Sequence, residues 1–238
     1  MKQGTLTVDE LIELCDKYRD HYESKKGDDY IDALSNVFKI KNRNDKPFVV
    51  REVMRQPTIE DFNFVGLKEF QYICELKAEP MYLDVFGVRI KNEKIMPRNF
   101  ASKKAEDIFK NALGVAYMLT CVIEGKEHIV KFGQTRTPFK SRLGSYNCGV
   151  VNNWRTASTT NIKILQSFLA TRLTYRLYIR DCSDDVVTFT WAGEKSVPFA
   201  SPISLAIEDI CMKKFVAKYG RPPLANVQAN ATEIDWED

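Results

Sequence analysis

Two short runs decide the fold: Gly114-Val115-Ala116-Tyr117-Met118-Leu119 and, beyond Glu124-Gly125, Ile129-Val130-Lys131-Phe132-Gly133. Both are short, rich in β-branched and aromatic residues, and separated by a turn dipeptide, so they read as two strands of a tight hairpin. Side chains alternate across a strand. Val115, Tyr117 and Leu119 therefore share one face of the first strand. On the second, Ile129, Lys131 and Gly133 share a face, opposite His128, Val130 and Phe132. Tyr117 and Lys131 meet on one side only if the hairpin folds about a central residue, through a loop with an odd number of residues. A register shift of one separates them.

Downstream, Pro138 starts a helix carrying Arg142 and Tyr146, whose four-residue spacing puts both on one helical face. Ser158-Thr159-Thr160-Asn161 is a second helix start, followed by Ile164, Leu165 and Phe168. Thr171 to Arg180 alternates as a strand, and Val186 to Trp191 reads as a strand in a hairpin insertion. Pro202 opens a long helix with apolar Leu205, Ile207, Ile210, Cys211 and Phe215, stopped by Gly220-Arg221-Pro222-Pro223.

Upstream, Ser102 to Ala112 reads as a basic helix. Thr7 to Glu10 is a capping box opening a helix over 8–24, and Ile31, Leu34, Val37 and Phe38 mark a second. Phe48 to Met54 reads as a strand, 59–64 as a short helix, and 67–90 as strand, with Lys91 to Lys94 turning the chain. The whole is α+β: a small, mainly antiparallel sheet flanked by helices over 101–238, preceded by a mixed helix and strand region over 1–100.

Bulk properties are those of a soluble globular protein. No apolar run approaches a membrane span, and the sequence shows no secretory leader, so the expected location is cytoplasmic. The six cysteines have no zinc-ligand spacing and read as reduced, buried thiols. The net charge of +3 hides an asymmetry: 101–180 carries thirteen basic and four acidic residues. A basic segment of that kind suits a polyphosphate partner.

These residues resemble the GIY-YIG nuclease superfamily. Gly114-Val115-Ala116-Tyr117 stands where GIY is expected, with one extra residue before the tyrosine. Val130-Lys131-Phe132-Gly133 stands where YIG is expected, with lysine in place of tyrosine. Arg142 and Tyr146 match the helix motif, Glu208 the lone metal-binding glutamate, and Asn226 the asparagine that closes the domain. Ser145-Tyr146-Asn147-Cys148-Gly149, Ser158 to Asn161 and Leu165-Gln166-Ser167 are similar to strings of a Helicobacter type II restriction endonuclease in this superfamily. Gln134 departs from it, standing where that enzyme carries histidine. The resemblance covers about 110–226 and leaves 1–100 without a counterpart.

The resemblance implies a divalent-metal-dependent, sequence-specific double-strand DNA endonuclease using Mg²⁺ or Mn²⁺. Tyr117 and Lys131 activate the attacking water. A phenol ionises near about pH 10, too high for a base unless a nearby cation lowers it, and Lys131 supplies that cation. Arg142 grips phosphate oxygens, and Tyr146 hydrogen-bonds the phosphate or the water. Glu208 holds one hard ion together with substrate oxygens, against the plain alternative of a surface glutamate paired with Lys213 or Lys214. Gly133 and Asn226 are supporting residues, and Asn226 holds backbone near Glu208. Arg136, Lys140, Thr159, Thr160 and Asn161 are candidate DNA contacts. Cutting both strands with one centre per chain favours a homodimer, with 1–100 serving dimerisation or DNA recognition. The rival readings are a phage, mobile-element or structure-specific repair endonuclease, and a DNA-binding protein that has lost catalysis.

Overall fold

The computed structural model of the chain describes residues 5–6, 48–85, 88–147, 159–198 and 201–226. The helices expected over 8–24 and 31–38 lie outside the described residues. Two compact units are present, each drawn from three stretches of sequence. One comprises Met1–Pro47, Ala78–Met96 and Gly144–Ala170; the other comprises Phe48–Lys77, Pro97–Leu143 and Thr171–Asp238.

In the first unit, β1 (Thr5–Leu6) pairs in parallel with β3 (Val88–Arg98), Thr5 opposite Arg89. Lys91 to Lys94 lie inside β3 rather than in a turn. Their polarity suggested a loop, yet the four residues contain neither glycine nor proline, and polar side chains alone do not break a strand. Asn147 clasps this strand: its Oδ1 accepts from Ile95 N–H at 2.8 Å and its Nδ2 donates to Ile95 C=O at 2.9 Å.

The second unit holds a sheet ordered β2 (Gln71–Val85, of which Gln71 to Lys77 belong to this unit), β6 (Tyr175–Asp181), β4 (Val115–Ile123) and β5 (Lys126–Thr135). Each neighbouring pair is antiparallel, as the sequence predicts. β4 is buried along nearly its whole length, which fits a run that is apolar except for Thr120, with both faces covered. β6 alternates, with Tyr175, Leu177 and Ile179 fully buried. It begins at Tyr175 rather than Thr171 because α5 (Thr159–Thr171) extends that far and Arg172, at φ 55°, ends it.

On one face of this sheet lies α6 (Ser201–Tyr219). Its Cys211 and Phe215 join Phe62, Phe70, Ala116, Met118, Ile129 and Phe132 in one apolar cluster. Burying each of those phenylalanine rings contributes about 1.5–3 kcal/mol. Leu205 and Ile210, expected on the apolar stripe of α6, are exposed. They fall about 100° off the line through Ile207, Cys211 and Phe215. Gly220, at φ 68°, closes the helix.

The opposite face carries α3 (Lys103–Asn111, capped by Ser102) and the start of α4 (Phe139–Tyr146). Phe139 meets the ring of Phe109 at 5.8 Å and that of Tyr117 at 4.9 Å. The stretch Phe48 to Met54, expected as a strand, contains α1 (Val50–Met54). Glu52 accepts the Val49 N–H at 2.8 Å and Val53 is fully buried one turn on, so local capping and a single buried contact override the β preference of valine. A short helix α2 (Ile59–Phe62) and a 3-10 turn (Val65–Glu69) follow. Strand β2 therefore starts at Gln71 rather than 67. The insertion contains only β7 (Thr190–Trp191) and β8 (Glu194–Lys195); Val186 to Phe189 are not strand, though Phe189 N–H donates to Ser196 Oγ at 3.0 Å.

Candidate active site

The β4–β5 hairpin turns through Glu124 and Gly125, at φ 51° and 75°. This is the two-residue turn with left-handed central residues that matches the twist of paired strands. The loop is therefore even, not odd as the shared face of Tyr117 and Lys131 requires. The parity is corrected farther up. Thr120 faces Ile129, but Leu119 faces Lys131, so Val130 has no partner on β4. This β-bulge puts Leu119 opposite Lys131 and Tyr117 opposite Gly133, on one face. It also corrects the expected faces below it. Ile129 sits with Phe132 in the cluster around Phe215, while His128 pairs with Cys121 on the Tyr117 side. His128 is buried, with Nδ1 against Gln56 C=O at 2.7 Å.

β5 is the edge of the sheet, and its outer side is closed by the chain after α6. Ala225 N–H donates to Val130 C=O at 2.9 Å. Asn226 Oδ1 accepts from Phe132 N–H at 3.1 Å and its Nδ2 donates to Phe132 C=O at 2.8 Å. The amide thus stands in for a strand residue beside Phe132, on an edge that Pro57 and Thr58 meet farther down at Ile129 and His128.

On the Tyr117 face the side chains of Tyr117, Lys131 and Arg142 come together, and the carboxylate of Glu208, on α6, acts on the charges of Lys131 and Arg142. Arg142 Nε donates to Tyr117 Oη at 3.3 Å. Tyr117 is 1% exposed, its ring held between Phe139 and Gly133. Lys131 is 5% exposed, and its Nζ donates to Ala225 C=O at 3.3 Å. Burial pushes its ammonium down to about 8; the charge of Glu208 opposes that shift and Arg142 adds to it. Burial raises the Glu208 carboxyl, while Lys131 and Arg142 pull it back and Asp209 reinforces the rise. Lys131, Arg142 and Glu208 therefore act on one another through their charges, and Tyr117 joins them through its hydrogen bond with Arg142. Lys213 pairs with Asp209 at 2.9 Å, about 100° round the helix from Glu208.

Among the described residues no three of His, Cys, Asp and Glu cluster as a metal cage. The donor set here is one hard carboxylate facing two cations. That fits a small hard ion which keeps waters and takes its remaining oxygens from a phosphate, and does not fit a zinc or calcium cage.

Arg136 and Lys140 are exposed between β5 and the body of α4. Tyr146 is 1% exposed and belongs, with Thr159, Thr160 and Asn161 at the start of α5, to the other unit. The side chains of those last three lie outside the described residues. Gln134 pairs with Ala116, and its Oε1 is buried without a hydrogen-bond partner among the described residues. Sequence reasoning missed the clasping role of Asn147, the Ala225 carbonyl on Lys131 and the bulge at Val130. Cys74, Cys121, Cys182 and Cys211 are buried free thiols, and Cys15 and Cys148 lie outside the described residues. Among the described residues no helix is long and apolar enough to cross a membrane.

No protein family is matched by the chain, and no curated protein matches it. Among solved structures it is similar to restriction endonuclease HPY188I in complex with product DNA: 25% identity, 79% of this chain and 96% of that chain covered, TM-score 0.47.

Proposed function

We propose that the protein is a divalent-metal-dependent, sequence-specific double-strand DNA endonuclease of restriction type and of the GIY-YIG class. One observation carries the reading: Tyr117, Lys131, Arg142 and Glu208, named by the motif resemblance and spread over ninety residues of sequence, act on one another in the fold. A buried lysine whose ionisation is shifted by burial and by the charges of a glutamate and an arginine supports a functional site there.

Phosphodiester hydrolysis needs an activated water, charge neutralisation at phosphorus and help for the departing 3′ oxygen. Tyr117 and Lys131 line one face and take the proton of the attacking water. A lysine ionising near 8 exchanges protons in the working range of such an enzyme. Arg142, whose Nε donates to Tyr117 Oη, brings its guanidinium charge to the phosphate oxygens. Glu208 holds Mg²⁺ or Mn²⁺, which when bound supplies Lewis-acid stabilisation of the leaving oxygen. In this reading 101–238 includes the nuclease machinery, 1–100 serves DNA recognition or dimerisation apart from Phe48–Lys77, which is built into the same unit as the site, and the enzyme works as a homodimer in the cytoplasm.

The test is incubation of the purified protein with phage or plasmid DNA in Mg²⁺, beside Glu208→Ala and an EDTA control. Discrete fragments that vanish in both controls support the reading, and end sequencing then gives the site. Binding without cleavage in Mg²⁺ and Mn²⁺, across DNAs of diverse sequence, overturns it in favour of a binding protein. Cleavage that follows flaps or junctions rather than sequence transfers it to a repair enzyme.

A further inference from the structure

We propose that the Ala225–Asn226 turn is a register clasp, which selects the bulged pairing of β5 over the regular one and so places Lys131 beside Tyr117. The consequence for cleavage rests on the function proposed above; the register claim does not.

The argument is one of parity. From the Glu124-Gly125 turn, regular pairing would continue past Thr120–Ile129 to place Leu119 opposite Val130 and Met118 opposite Lys131. Lys131 would then point into the cluster around Phe215, and Phe132 would take its place next to Tyr117. The observed strand instead leaves Val130 unpaired, and Leu119 meets Lys131. Alternate residues of an antiparallel strand direct their main-chain groups toward the partner strand or away from it. In the bulged register Val130 C=O and both main-chain groups of Phe132 point outward, and these are the groups that Ala225 and Asn226 engage. In the regular register the same groups would turn inward to β4, and the clasp would have nothing to hold. Lys131 Nζ, donating to Ala225 C=O, ties the side chain to the same turn. Asn226 is thus a positioning residue: through the main chain of Phe132 it decides which face carries Lys131.

The experiment titrates the Lys131 side chain by NMR in the full chain with ¹³C-labelled lysine, assigned with Lys131→Arg. The comparison is among wild type, Asn226→Ala and Ile73→Val, a buried substitution on β2 that lowers stability without touching the clasp. Expected is a displaced Lys131 titration and fast exchange of the Phe132 amide in Asn226→Ala. DNA cleavage should also fall about 100-fold with an altered pH profile, as for a misplaced catalytic group. Ile73→Val should keep the wild-type titration and profile. Deleting Val130 in the Asn226→Ala background makes regular pairing itself set Lys131 against Leu119, so it should recover the wild-type Lys131 titration without the clasp. If that double variant does not fold, Asn226→Ala decides alone. An Asn226→Ala protein whose Lys131 titrates as in wild type overturns the proposal. So does a folded double variant that fails to recover that titration. Should the wild type not cleave DNA, the function falls while the titration still decides the clasp.

Discussion

The ring of Tyr117 lies directly over Gly133. A Cβ built on Gly133 would stand 2.3 Å from both Cζ and Oη of the tyrosine. The tyrosine has no easy retreat, because its far side is packed edge-on against Phe139 at 4.9 Å. Gly133 is therefore required by the space it leaves. We predict that Gly133→Ala drives the phenol off its position, destabilises the fold by about 1–3 kcal/mol and lowers cleavage by about 100-fold. A urea unfolding curve alongside single-turnover cleavage checks both effects. Unchanged cleavage would show that Tyr117 need not sit where it does.

Arg142 reaches Tyr117 through Nε, the one nitrogen of the guanidinium that lies along its stem. Lysine keeps the charge but has no such fork. Arg142→Lys is expected to lower cleavage by about 100-fold or more, as for removal of one preorganised donor, with DNA binding largely retained. The measurement is the single-turnover rate beside a filter-binding affinity at the same salt. Combining the change with Tyr117→Phe should cost less than the sum of the two, since the pair acts as a unit.

The order of elements in the second unit was legible from apolar periodicity, turn dipeptides and caps: the hairpin, the capped α3, the helix after Pro138 and the long α6. The errors fell where tertiary context overrode local preference. Valines at 49, 50 and 53 suggested a strand, but they lie in and beside a helix fixed by Glu52 and one buried contact. The bulge is the more instructive case. The sequence offers an even, two-residue turn at Glu124-Gly125, while the shared face of Tyr117 and Lys131 demands odd parity. The conflict between those two readings is itself the sign of an extra residue, and Val130 supplies it. Nothing local marks Val130, because the partner that stabilises the bulge lies ninety-five residues away in Ala225. The side-chain roles of Asn147 and Asn226 were similarly hidden, since an amide that completes a strand edge has no spacing rule.

Lys131 gives a pH signature of known sign. Burial lowers its folded pKa to about 8 from the ordinary 10.5. Between those values the unfolded chain holds a proton that the folded chain has released, so this group makes stability rise with pH across that window, by up to about 1.4 kcal/mol per unit. Lys131→Met should remove that rise, as read from urea unfolding at pH 7.5, 9 and 10. Glu208 has the opposite sign on the acid side. Its carboxyl is raised by burial, so the stability linked to its proton is lost as pH rises through its folded value. Because Glu208 supports the charge of Lys131, Glu208→Gln should push the Lys131 titration lower than in wild type, which the same lysine NMR would read. A titration that moves up instead would refute the coupling.

Asn147 tests whether a clasp of the same design matters in the other unit. Its Oδ1 and Nδ2 satisfy both main-chain groups of Ile95, which is 1% exposed. Alanine there leaves a buried donor and a buried acceptor without these partners, at about 1–3 kcal/mol for each group left unsatisfied. Aspartate would keep the acceptor for Ile95 N–H but set a carboxylate against its carbonyl, at the further cost of burying a charge without a partner. The expected order of thermal midpoints is wild type, then Asn147→Ala, then Asn147→Asp, with the first step several degrees, since about 1 kcal/mol moves a domain of this size by about 2–4 °C. Calorimetry gives the midpoints directly. A midpoint for Asn147→Ala within a degree of wild type would mean that water replaces the amide on β3, and that the two-sided hydrogen bond holds nothing the solvent does not.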